Sequence, residues 1–268
     1  LSSVREIPLP DNEADAERAV AVEVTTAGGR RDLSLSNPRG RRRVAGEAAT
    51  DGAFAFMSTD ARGLRLAAMV EGTDLTTPWG ALRMGRREWT ATLARVDYEG
   101  RRVWLDADWS DARLPGEQVE FGNDRHKTTY TVLSAARENN ATVLTLDKAL
   151  DLSYAQVVSS DPARRTVVVN IGPAGLTPGM TDGLICTNAD TARAWRCAVI
   201  GGDSGRYTYR LEAPFAAADF PAGGTFKLWE FGVGDRARLA ARAAVRRTPS
   251  GAWSVESNGD ARWTPRAP

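Results

Sequence analysis

His126, the single histidine, stands in Gly122-Asn123-Asp124-Arg125-His126-Lys127, a stretch with the composition of a hairpin tip. A catalytic triad or a zinc site needs a nucleophile or further ligands beside it, and no Cys or His cluster accompanies this residue. A turn is therefore the preferred reading. Tyr98, Tyr130 and Tyr154 have the chemistry to donate a proton in an elimination, but such a site also needs a base and a group that neutralises the substrate carboxylate. Spacing alone assembles no such set. Asp106-Ala107-Asp108-Trp109-Ser110-Asp111, with Glu117 at the twelfth position, partly matches an oxygen-rich calcium loop, which makes Asp106, Asp108 and Glu117 the metal candidates. Asp111 occupies the place that needs glycine and Pro115 intrudes, so an acidic loop after a strand is preferred. The expectation is no catalytic residue, no metal and no cofactor.

Aromatic and basic residues carry a better signal, for binding. A sugar packs its apolar C–H face on an exposed ring. Along Val103-Trp104-Leu105-Asp106-Ala107 the odd positions are apolar, and a strand's period of two places Trp104 on the face of Asp106. Trp104 is accordingly the tryptophan expected to be exposed, followed by Trp79 in a loop between Pro78 and Gly80. Arg41, Arg42 and Arg43 concentrate positive charge in one turn that could meet an acidic polysaccharide. The alternatives are edge-of-core rings and a solvated hairpin loop. Cys186 and Cys197 flank a turn around Ala189 to Arg193. If the hairpin folds near its midpoint, they lie across from each other on neighbouring strands, either as a disulfide or as two small buried thiols.

The elements that must position these residues are short strands. Alternating runs recur at Ala19–Thr25, Asp32–Ser36, Ala53–Met57 and Leu64–Val70, separated by Gly28-Gly29, Asn37-Pro38, Asp51-Gly52 and Arg62-Gly63. Strands so regularly spaced indicate a sandwich or barrel. A degenerate repeat follows. One copy runs Leu114-Pro115-Gly116, Asn123, Tyr130, a turn at Glu138-Asn139-Asn140, then Thr142–Leu146. The other runs Leu176-Thr177-Pro178-Gly179-Met180, Asn188, Trp195, a turn at Gly201–Gly205, then Tyr207–Leu211. In both copies the aromatic follows the asparagine by seven residues. Arg236–Arg246 is read as strand in spite of its alanines. The chain is thus all-β, with antiparallel β-sandwich layers built from hairpins and the repeat in the C-terminal two-thirds. Its expected division is a β-sandwich portion at residues 1–86 and a β-rich, repeat-containing domain at 87–268.

Composition narrows the partners. A formal net charge of +1 with interleaved signs argues against a dedicated nucleic-acid binder. No run of about 18 apolar residues is present to span a membrane as a helix. Thirty-two arginines against three lysines suit bidentate recognition of carboxylate or sulfate, or reflect coding bias. The polar start at Leu1, without a charged and then apolar leader, fits either a removed signal or a piece of a longer polypeptide. A disulfide would mean an oxidising compartment, and a secreted or periplasmic location is expected.

Val96-Asp97-Tyr98 before a glycine turn, Val103-Trp104-Leu105-Asp106 after it, then Pro115-Gly116, Asn123 and Thr129-Tyr130-Thr131-Val132 resemble the C-terminal β region of heparinase II/III-like polysaccharide lyases. Val22–Thr26, Asp32-Leu33 and Asp51–Phe56 resemble the β-sandwich that precedes it. The resemblance implies the trailing β portion of a protein that cleaves acidic glycans by β-elimination, with catalytic Tyr and His residues supplied from elsewhere. No catalytic residue carries over. It implies an accessory module, with acidic polysaccharide and the remainder of a longer polypeptide, or a partner chain, as partners. The alternatives are a structural or assembly module of an extracellular protein, or part of the lyase itself.

Overall fold

The computed structural model describes residues 2–10, 12, 17–170, 182–203 and 205–266, and its regular structure is antiparallel strand, with a short 3-10 turn at Ala217–Asp219 and no α-helix among the described residues. The chain divides into two compact units, one of residues 1–89, 109–114 and 239–268, the other of residues 90–108 and 115–238.

The first unit is a β-sandwich. Its early strands are β1 (Ser3–Ile7), β2 (Val20–Thr25), β3 (Arg31–Ser36), β4 (Arg43–Ala45), β5 (Ala48–Thr50), β6 (Phe54–Asp60), β7 (Gly63–Val70), β8 (Asp74–Thr77) and β9 (Gly80–Met84). The sequence then passes through β10 (Glu88–Asp97), β11 (Arg102–Leu105), β12 (Gln118–Gly122), β13 (Lys127–Glu138), β14 (Ala141–Leu146), β15 (Asp151–Asp161), β16 (Thr166–Val169), β17 (Leu184–Thr187), β18 (Ala194–Asp203), β19 (Arg206–Leu211), β20 (Thr225–Trp229) and β21 (Arg236–Ala240). It returns to the sandwich as β22 (Arg242–Arg247), β23 (Trp253–Ser257) and β24 (Ala261–Pro265). The sheets read β1-β2-β3-β6-β7-β22-β23 and β24-β9-β8-β5-β4. Alternation sends Leu33, Leu35, Met57, Met69 and Val245 inward from the first sheet and Leu75, Leu82 and Met84 inward from the second.

The second unit contains two closed six-stranded barrels with one topology, β10-β11-β14-β13-β12-β21 and β15-β16-β19-β18-β17-β20. Closure leaves neither barrel an unpaired edge. Leu93, Val103, Leu105, Val119, Phe121, Val132 and Leu144 are buried in the first, and Val157, Val167, Val169, Leu184, Cys186, Cys197, Tyr209 and Leu228 pack together in the second.

The repeat is therefore a whole barrel, and it begins earlier than the asparagine–aromatic spacing implied. In the β10–β11 hairpin Asp97 accepts the Gly100 N–H and Asp106 accepts the Thr92 N–H; in the β15–β16 hairpin Asp161 and Asn170 do the same for Arg164 and Gln156. Arg101 and Arg165 share a left-handed φ near 55° and donate to the carbonyls of Asp147 and Glu212. Both first strands bulge at the same place. Tyr130 and Trp195 are both buried, but Tyr130 pairs with Val119 and Trp195 with Cys186, because the second hairpin has the longer loop. Leu176–Met180 lies outside the described residues. The Glu138–Asn140 turn stands as expected, with Asn139 and Asn140 at positive φ. Gly201–Asp203 instead belong to β18, where the Tyr207 ring lies over Gly202 at a distance that leaves no room for a Cβ.

Candidate functional site

The residues proposed from sequence do not converge. Asn37 is fully buried and its side-chain N–H groups donate to the carbonyls of Arg41 and Gly52, which shapes the arginine turn. From that turn Arg42 reaches Asp74 at 2.7 Å, while Arg43 is buried on β4 and donates to the Pro10 carbonyl. Only Arg41 and Arg42 of the three are exposed.

Arg42 belongs to a carboxylate network that ties the smaller sheet together. Asp51 accepts the N–H groups of Thr73 and Asp74 and the Thr73 hydroxyl. Burial by itself pushes the Asp51 carboxyl up, but these hydrogen bonds and nearby Arg87 outweigh it and hold the carboxyl below its ordinary value. Asp74 is likewise held low: burial raises it, and Arg42, Thr76 and Arg83 overcome that. A carboxyl lowered in the folded state stabilises above its unfolded pKa, about 3.9, and loses that contribution as pH falls through the folded value. Stability of the native chain should accordingly fall as pH is lowered below about 4, and Asp51→Asn should flatten that fall. Urea midpoints measured across this range check it. Equal slopes for the two proteins would remove Asp51 from the acid response.

Trp104 corrects the expectation of an exposed ring. Alternation does turn it away from buried Val103 and Leu105, yet it is only 7% exposed. The guanidinium groups of Arg95 and Arg102 lie 4.2 and 4.8 Å from its ring centroid, and its indole N–H donates to Glu138, which also pairs with Arg102. Outward direction did not mean accessibility, because long arginines on neighbouring positions cover the ring. Trp79 is partly buried, with its indole against Gly63.

The acidic loop is also committed elsewhere. Asp106 caps the Thr92 N–H, Asp108 pairs with Arg137 at 2.9 Å, and the backbone carbonyl of Glu117 accepts the Val132 N–H. Among the described residues no three His, Cys, Asp or Glu side chains gather as a metal-holding group. His126 sits in the β12–β13 turn, where Asn123 accepts two backbone N–H groups and the imidazole meets the Asp182 carbonyl. Tyr130 donates to Glu230, as does Thr128. Tyr154 is exposed. Cys186 and Cys197 lie on the neighbouring strands β17 and β18, but Cys197 opposes Leu184 and Cys186 opposes Trp195, so they are diagonal neighbours. Both are free and buried, and burial, then the hydrogen bond with Cys197, raises the Cys186 thiol well above its ordinary value.

A site that the sequence reading missed lies on the outer face of the seven-stranded sheet. A groove of about 1010 Å³ is lined by Arg30, Arg62, Arg65, Arg246 and Arg247, with Phe56 and Leu66 in its floor. Register explains the gathering: Ser58 pairs with Leu66, and Leu66 with Arg246, so side chains from distant parts of the sequence fall in one row. Asp32 and Asp60 partly balance the charge through Arg30 and Arg65. Arg62, Arg246 and Arg247 have no ion-pair partner among the described residues, Arg247 donating instead to the Arg62 carbonyl. The only local sequence signal was the Arg246-Arg247 pair.

Comparison of the chain with family models, with curated proteins and with solved structures found no match.

Proposed function

We propose that this chain is a non-catalytic β module of a heparinase II/III-like polysaccharide-degrading protein, acting outside the cytoplasm and engaging an acidic glycan. The observation that carries the reading is the groove of the seven-stranded sheet, where five arginines surround an apolar floor and three of them lack an acidic partner among the described residues. Guanidinium forks suit carboxylate and sulfate, and the floor suits a sugar's C–H face. His126 and Tyr130 are engaged in a turn and in a hydrogen bond to Glu230, which favours binding over chemistry.

The test is binding of heparin and of alginate at several salt concentrations. Affinity should fall as salt rises, and Arg62→Gln with Arg246→Gln should weaken binding by about five- to tenfold. Salt-independent binding, or binding unchanged in the double variant, rejects the groove. Unsaturated products from either glycan reject the non-catalytic part. A second reading, an assembly module, is favoured by Val4, Val20 and Phe54, which stand exposed on the same sheet. It is supported instead by concentration-dependent association without glycan binding.

A further inference from the structure

Within the second unit a groove of about 510 Å³ opens between β10 of the first barrel and the β17–β18 hairpin of the second, a size usual for small-molecule sites. Ala94, Val96, Ile185 and Val233 supply apolar patches in a lining that is more polar than apolar. Arg95, Asp97, Tyr98, Thr191 and Arg196 supply the polar groups.

Their commitments differ. The Arg196 guanidinium is spent on Asp235 and on the carbonyls of Gly183 and Val233, so it shapes the wall. Arg95 forms no close ion pair among the described residues; its guanidinium stacks on Trp104 and lies near enough to Glu138 to add to the Trp104 hydrogen bond in holding that carboxyl low. Tyr98 is 4% exposed, its ring packed on Trp229, and its oxygen lies against Gly232, where no Cβ would fit. Among the described residues no group accepts a hydrogen bond from the Tyr98 hydroxyl. The Tyr98 oxygen is not one of the buried polar atoms sealed from solvent, so water meets it in the groove and a bound acceptor would take that water's place.

The second barrel serves as an internal control. The position of Arg95 opposite Trp104 in β10–β11 is taken by Ser159 opposite Val168 in β15–β16, and the place of Tyr98, next after Asp97, is taken by Pro162 after Asp161. The same topology closes without an arginine, an indole or a phenol at these places. Closure of a barrel does not require them, although the Tyr98 ring also packs on Trp229.

We propose that this inter-barrel groove binds a small hydroxylated carboxylate of about monosaccharide size. Arg95 takes the carboxylate, the Tyr98 hydroxyl donates to a ligand oxygen, Asp97 and Thr191 meet ligand hydroxyls, and Val96, Ile185 and Val233 face its carbon skeleton. This rests on different residues from the arginine groove of the first unit and stands without it.

The probe is sodium glucuronate, titrated into the intact chain by calorimetry, with glucose as the uncharged comparator. Saturable binding of glucuronate and not of glucose is expected. Arg95→Gln should weaken it about tenfold or more, and Tyr98→Phe by about three- to tenfold. Tyr98→Phe should leave the urea midpoint nearly unchanged, because the lost hydroxyl had no protein partner and the ring keeps its place on Trp229. Arg62→Gln with Arg246→Gln should leave glucuronate binding intact, which separates this site from glycan binding. Absence of saturation, equal binding of glucose, or binding indifferent to both Arg95→Gln and Tyr98→Phe overturns the proposal.

Discussion

Trp229→Ala should lower the unfolding free energy by about 3–5 kcal/mol, the range for removing a large buried aromatic. Trp229 ends β20, is 1% exposed, donates its indole N–H to the Thr187 hydroxyl inside the second barrel and stacks on Tyr98 of the first at 4.5 Å. One truncation thus opens a cavity, removes the hydrogen bond to the buried Thr187 hydroxyl and unstacks the contact between barrels. Urea unfolding followed by circular dichroism measures it. Trp229→Phe keeps most of the volume and should recover more than half of the loss. A drop below about 1 kcal/mol for alanine would mean that the barrels do not depend on this contact.

The second large effect is expected at Asp235. Its side chain is 1% exposed, accepts the Gly232 N–H, and pairs with Arg196 at 2.6 Å. Asp235→Ala leaves a buried N–H and a guanidinium without their acceptor. Breaking a fully buried pair costs about 3–5 kcal/mol; Arg196 retains 27% exposure and rehydrates in part, so a loss of about 2–3 kcal/mol is expected. The double variant Asp235→Ala, Arg196→Met should be less destabilised than Asp235→Ala alone, since the uncompensated charge is gone. Additive losses in this cycle would show that the two side chains act independently.

Glu230 lies between these two residues in sequence and receives Tyr130 and Thr128, while Phe231 packs edge-on to Phe121 and Tyr130. The run Trp229–Asp235 is therefore the seam of the second unit. Glycine and charge make it look like a loop in sequence, and its partners lie from about forty to more than a hundred residues away, so no local pattern discloses its role.

Much of the repeat was legible, but its frame was not. Asn123 to Tyr130 and Asn188 to Trp195 marked the right hairpins by identity of type and spacing. Asp97, Arg101 and Asp106 recur as Asp161, Arg165 and Asn170 at an equally constant interval, yet this signal resembles ordinary turn composition. Its meaning rests on side-chain caps and a left-handed arginine, which type alone does not announce. Trp104 illustrates a different limit. Period two correctly turned it outward, but accessibility depended on Arg95 across the β10–β11 pair, in a register displaced by a bulge.

The sequence by itself determined the strand character of the chain and its turns, because alternation, Asn-Asn and the glycine dipeptides act through neighbouring backbone and need no distant partner. It also determined that His126 would be a turn residue. Only the tertiary structure decided that the repeat closes into barrels, that β22 lies beside β7, and that Arg62 and Arg246 share a groove. Those outcomes follow from pairing between strands far apart in the chain, where register is selected by which faces can be buried together.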